Sequence, residues 1–145
     1  MRVRDILDQK GNRILDIGPD EKVYDAIAKM AEFNVGALVV TKNGKLQGII
    51  SERDYRNKVI LKGRTSKDTP VKDIMTSKVV CVSPDYSVDN CLALMSDKKI
   101  RHLPVLEDDK LCGVISIGDL VKAVIDQQKL EIDDLKNYIS GGYPG

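Results

Sequence analysis

Two hydrophobic rhythms alternate along the first half of the chain. Residues 14–17 (ILDI) form a short apolar stretch closed by the turn formers Gly18, Pro19 and Asp20, which predicts a strand. Val23, Ala26, Ile27, Met30 and Ala31 then recur three or four apart, the spacing of one helix face. Residues 35–41 are apolar and β-branched, and residues 46–50 are apolar again. Between them lies Lys42-Asn43-Gly44-Lys45, and Asn-Gly between two apolar runs predicts a tight hairpin. A second helix is expected to open at Ser51 and close near Gly63, a residue suited to the left-handed end of a helix.

The second half repeats the first. GKLQGIISERD (44–54) lies over DKLCGVISIGD (109–119), so that Gly48 matches Gly113, Ser51 matches Ser116 and Asp54 matches Asp119, each pair 65 positions apart. The same offset aligns Pro19-Asp20 with Pro84-Asp85, Met30 with Met95, and NVGALVV (34–40) with KIRHLPV (99–105). Upstream the offset changes to 68, where VRDIL (3–7) matches VKDIM (71–75), so the first copy carries three extra residues around QKGNR. The second copy predicts a strand at 79–82 (VVCV), a helix over 88–95, a strand at 102–106, a turn at Glu107-Asp108-Asp109 and a return strand at 111–115. Each copy reads strand, helix, strand, strand, helix, an α/β (α+β) unit of about 60 residues, which is marginal alone. Two such units packed sheet to sheet about a pseudo-twofold axis bury what neither buries by itself, and leave a cleft on either side of that axis. The expected division is 1–62 for the first repeat, 63–70 for a linker, 71–126 for the second repeat, and 127–145 for a helical extension and loose tail.

The last helix is predicted to run from Asp119 to about residue 140 without proline or glycine. Val121, Ile125, Ile132, Leu135 and Ile139 fall on one stripe, with Gln128 in the gap, close to the 3.5-residue repeat of a helix seam. Such a stripe either packs back on its own core or meets another subunit, and the helix is longer than one unit needs, so a homodimer is expected.

Composition narrows the classes. A formal net charge of +1 gives no global basic footprint for nucleic acid, and the apolar runs are too short to span a membrane. The opening residues lack a signal-peptide pattern, so a cytoplasmic protein is expected. Cys81, Cys91 and Cys112 have no metal-ligand spacing and read as buried reduced thiols, and the single histidine, His102, cannot build a metal site.

The repeated Gly-h-h-Ser-x-x-Asp string (h apolar) is the candidate for chemistry. It is close to a helix-capping box, with Ser51 or Ser116 at the cap and Asp54 or Asp119 three residues on. It is equally a usable nucleotide site. A strand running into a helix N-terminus presents free N–H groups to phosphate, the serine adds a hydroxyl donor, and the carboxylate suits the paired hydroxyls of a ribose. Arg53 follows Ser51, while Arg101 and His102 precede the strand that pairs with the one leading to Ser116. The first copy has Gly36-Ala37 at that position, so the Asp119 side is expected to be better equipped for a phosphorylated ligand.

The VKDIM opening at 71–75, SPD at 83–85, IRHLPV at 100–105 and GVISIGDL at 113–120 resemble the cystathionine-beta-synthase (CBS) domain. The whole chain resembles a stand-alone CBS pair, a Bateman module of two βαββα units. The resemblance covers residues 3 to about 126. It implies binding of AMP, ADP or ATP, or of NAD or S-adenosylmethionine, with Asp54 and Asp119 on ribose, Ser51 and Ser116 on phosphate or ribose, and Arg101 and His102 on phosphate. It places Leu15 and Ile17 as walls on the Asp119 side and Val80 and Val82 on the Asp54 side. The first copy departs from the family pattern in lacking the Arg-His pair, unless Arg53 replaces it. Three functions follow as expectations: a nucleotide sensor without catalytic residues, acting on a regulated protein that the sequence does not identify; an interaction or dimerisation module with no ligand; or an enzyme, which would require a reactive Cys81.

Overall fold

The computed structural model describes residues 1–11 and 13–141, the side chains of Ser140 and Gly141 excepted. The expected loose tail, 141–145, falls outside the described residues apart from the backbone of Gly141. The chain opens with helix α1 (Val3–Lys10), where the Asp5 carboxylate caps the Arg2 N–H at 2.9 Å and Val3, Ile6 and Leu7 form the buried face. Strand β1 (Asp16–Ile17), helix α2 (Val23–Phe33), strands β2 (Ala37–Lys42) and β3 (Lys45–Ser51) and helix α3 (Glu52–Lys58) complete the first copy. Helix α4 (Val88–Lys98), strands β4 (His102–Glu107) and β5 (Lys110–Ser116) and helix α5 (Ile117–Lys136) form the second.

Both hairpins turn on two residues with positive φ, Asn43 and Gly44 in one and Asp108 and Asp109 in the other. One sheet has the order β1-β2-β3 and the other is the pair β4-β5. The expected strand at 79–82 is reduced to a single parallel bridge, Val82 to Val105. Pro104 stands where Val39 stands in the first sheet and has no N–H with which to extend the ladder. The helix opening after Ser51 also ends earlier than expected. Val59, fully buried, caps the end of α3, and a single 3-10 turn, Ile60–Lys62, runs on to Gly63 at φ 70°.

The two cores exchange segments. Val3, Ile6 and Leu7 pack with Val82, Met95, Leu103, Ile115 and Leu120 of the second copy. Val71, Ile74 and Met75 pack with Val23, Met30, Leu38, Val40, Ile50 and Val59 of the first. Each exchanged segment presses on a glycine of the sheet it reaches. A Cβ on Gly48 would lie 2.6 Å from the Thr76 carbonyl oxygen, and one on Gly113 would lie 2.8 Å from Leu7 Cδ2. The close approach explains why both repeats carry glycine there. The equivalence ends at the three extra residues: 3–10 continue as a full helix, whereas 71–73 make one 3-10 turn.

The sheets meet through β3 and β5. Helix α5 buries Leu120 and Ala123 and then runs past the core for 20 residues in all, about 30 Å. Val121, Ile125, Ile132, Leu135 and Ile139 of the expected stripe are between 45% and 67% exposed, so it does not pack back on its own domain.

Candidate functional site in the cleft beside Asp119

The β5–α5 junction positions the central pair. Ser116 caps α5, its hydroxyl accepting the Asp119 N–H at 3.2 Å, while Asp119 Oδ2 accepts the Ser116 N–H at 2.9 Å. The β3–α3 junction is built identically, with Ser51 and Asp54 joined at 3.2 and 3.0 Å. Both strings are therefore capping boxes, and the difference between them lies in what remains of each carboxylate. Asp54 Oδ1 is held by Lys58 at 3.0 Å, Oδ2 also accepts the Ser51 hydroxyl at 3.1 Å, and the residue is buried. Asp119 Oδ2 takes Lys10 Nζ at 2.7 Å, and among the described residues no hydrogen bond engages Oδ1.

A cavity of about 390 Å³ opens beside Asp119, within the usual range for small-ligand sites. Ser116, Asp119 and Val114 form one wall with His102; Leu15 and residues 34–37 form the facing wall, from the other repeat; Lys10, Gly11 and Arg13 close one end. Gly36 faces the histidine, since a Cβ there would sit 3.4 Å from His102 Cε1, in ordinary contact. The cleft thus gathers Asp119, Ser116, His102 and Leu15 from the sequence-derived set.

The other members of that set lie elsewhere. Ile17 is 5% exposed and belongs to the first core rather than to a wall. The Arg101 side chain is exposed and does not line the cavity, whereas its neighbour His102, the first residue of β4, does. Arg53 donates to the Lys99 carbonyl at 2.8 Å, tying α3 to the end of α4, where the helix dipole favours a cation. Val82 is buried in the second core, and Val80 is half-buried against it.

Lys10 and Arg13 were missed by the site reading of the sequence. Lys10 donates to the Val114 carbonyl at 2.8 Å as well as to Asp119, and Arg13 stacks its guanidinium 4.5 Å from the centre of the Phe33 ring. Their signal was the change of offset between the repeats, since the three extra residues fall at this end of the cleft.

Electrostatics follow from these contacts. For Asp119, burial opposes ionisation most, but the Lys10 ammonium and the Ser116 N–H together outweigh it and hold the carboxyl below its ordinary value. His102 is pushed down, first by burial and then by the Lys10 charge, against a smaller pull from Asp119, so its ring is neutral near pH 7. Cys91 is buried and Cys81 and Cys112 are partly so, and all three are free thiols. Burial pushes the Cys81 thiol up, away from the thiolate that a nucleophile needs. Among the described residues no group of side chains could hold a metal ion, and no helix is long and apolar enough to cross a membrane.

Comparison with known proteins identifies the class. The CBS domain family matches residues 3–60 and 71–126, and the chain belongs to that family as a pair of CBS repeats. It is 49% identical over 129 residues to the mitochondrial CBS domain-containing protein CBSX3 of Arabidopsis thaliana, covering 86% of this chain and 63% of that one. It is 30% identical to the CBS domain-containing protein YhcV of Bacillus subtilis, covering 79% and 81%. A solved protein with CBS domains from Burkholderia ambifaria superposes with a TM-score of 0.85 at 49% identity, over 88% of this chain and 96% of the other. The CBS domain pair of protein MJ0100, solved with 5′-methylthioadenosine and S-adenosylmethionine, superposes with a TM-score of 0.76 at 24% identity, over 86% and 99%, a likeness of fold.

Proposed function

We propose that the chain is a regulatory module that acts by binding, not catalysis, and that its Asp119 cleft takes an adenosine compound: AMP, ADP, ATP, NAD or S-adenosylmethionine. The observation that carries this reading is a cavity lined by both repeats and by Asp119, whose Oδ1 is in no hydrogen bond among the described residues. A ribose diol can donate to Oδ1, Ser116 lies beside it, and the apolar side of Leu15 and Val35 suits a base. Because the walls come from both repeats, a ligand there binds one arrangement of the repeats better than another, and that differential affinity is what can be transmitted to a regulated protein. Asp54, with both oxygens engaged, is proposed to stay structural, giving one ligand per chain. The ligand class is the one held by the MJ0100 pair. The proposal includes a homodimer through α5 and a cytoplasmic location.

A second reading, an interaction module without ligand, is favoured by one observation: each carboxylate already caps its own helix and meets a lysine. Thermal melts of the full chain separate the two. A cleft ligand raises the midpoint with concentration, by about 2.7 kcal/mol of stability at a hundredfold excess over its Kd. Midpoints unmoved by millimolar AMP, ATP, NAD and S-adenosylmethionine would leave the interaction module.

A further inference from the structure

The cation at the end of the cleft comes from the segment where the first repeat carries three extra residues. In the first sheet, the Ile49 carbonyl is taken by the Thr76 N–H at 2.8 Å. The corresponding carbonyl of the second sheet, Val114, is taken by the Lys10 side chain, which the C-terminal end of α1 delivers to it. Lys10 therefore sits in the cleft because α1 is anchored by Val3, Ile6 and Leu7 in the second core. Its ammonium has three donors, and two are used, on Val114 and Asp119. The side chain is 39% exposed on a flexible four-carbon stem, so it can change acceptor without moving the helix.

The charges lining the cleft are Lys10 and Arg13 against Asp119 alone, with His102 uncharged. Glu52 stands behind Gly36, with Oε1 3.9 Å from where a Cβ would be, and does not line the cavity. The balance is one positive charge in excess.

Building on the proposed adenosine site, we infer that this cleft selects a phosphate-bearing ligand over a neutral or cationic one, with Lys10 as the specificity determinant. With ribose hydroxyls on Oδ1, the Lys10 ammonium keeps Asp119 Oδ2 and gives its third donor to a phosphate oxygen. A neutral nucleoside takes the same Oδ1 and leaves that third donor to water. A sulfonium ligand adds a further positive charge beside Lys10 and Arg13. Charge-assisted hydrogen bonds are the strong class, so the discrimination is about tenfold or more.

Calorimetric titration of the full chain with AMP, adenosine and S-adenosylmethionine tests this. The expected result is AMP at least about tenfold tighter than either of the others, with Lys10→Met losing that margin on AMP while adenosine binds as well as before or better. Equal binding of the three ligands by the wild type, or a Lys10→Met loss of the same factor on AMP and adenosine, overturns the inference and leaves the adenosine site standing. Binding of none of them, nor of ADP, ATP or NAD, removes both. Should Lys10→Met fail to fold, the wild type decides alone: AMP affinity falls as salt is raised while adenosine affinity holds, and parallel salt dependence overturns the inference.

Discussion

Lys10 Nζ lies 2.7 Å from Asp119 Oδ2, a contact between residues 109 positions apart that joins the extra segment of the first repeat to the closing helix of the second. The same oxygen accepts the Ser116 N–H, so Asp119 both caps α5 and holds the cation of the cleft.

The two roles separate by substitution. Asp119→Ala removes the cap as well as the charge, and is expected to lower stability by about 0.5–2 kcal/mol, a few degrees in the melt of a chain this size. Asp119→Asn retains an acceptor for the Ser116 N–H and should melt closer to the wild type. Both should lose the AMP-dependent rise in midpoint. Circular dichroism melts with and without AMP check this, and an Asn variant that still responds fully would place the ribose contact elsewhere.

The two glycines of the sheet interface should differ in tolerance. A Cβ at Gly48 meets a backbone carbonyl at 2.6 Å, which can move only with the Thr76 bridge to Ile49. At Gly113 it meets Leu7 Cδ2 at 2.8 Å, the far end of a side chain that can rotate away. Gly48→Ala is expected to cost about 1–3 kcal/mol, in the range of overpacked cores, and Gly113→Ala clearly less. Urea unfolding of the two variants measures the difference.

The features that the sequence revealed are those set by local rules repeated twice. The Asn43-Gly44 turn, the helical spacing from Val23 to Met30 and the Ser-x-x-Asp strings each follow from short-range chemistry, and their recurrence 65 residues on made the pair of repeats legible. The site was half legible: of the residues expected on the Asp119 side, Asp119, Ser116, His102 and Leu15 line the cleft, while Arg101 and Ile17 do not. Arg101 lies exposed just before β4, and Ile17 is buried in the first core. Lys10 and helix α1 were hidden for a different reason. VRDIL matches VKDIM, yet 3–10 form a helix where 71–73 make one 3-10 turn, and the segment packs on the opposite core.

His102 gives the cleft a pH dependence of known sign. Its folded value lies below the ordinary value of about 6.5, so the unfolded chain takes up a proton first as pH falls. Its contribution to stability is present above pH 6.5 and is lost as pH drops from there toward the folded value. Denaturant unfolding at pH 7.5 and 5.5 should show a larger loss for the wild type than for His102→Gln. Equal losses would mean that the ring titrates as it does in the unfolded chain. The protein has one histidine, so its titration can also be followed directly by NMR.

The exposed stripe of α5 predicts self-association. Ile125, Ile132 and Leu135 follow a three-four spacing about Gln128, so they form one apolar edge on a helix that has left its own core, and Ile139 stands exposed in the π-helical stretch Asn137–Gly141 that follows. Burying such side chains against a second copy contributes about 25 cal/mol for each Å² removed from water. A polar residue at a single seam position restricts the register at some cost in stability, which suits Gln128 in a pair rather than in a larger bundle. The wild type is therefore expected to sediment as a dimer. Ile125→Lys with Ile132→Lys should give a monomer whose AMP response survives, because neither residue lines the cleft and the buried anchors Leu120 and Ala123 are untouched. A wild-type monomer at tens of micromolar would show that this edge meets some other surface, and a dimer that persists in the double variant would move the contact off α5.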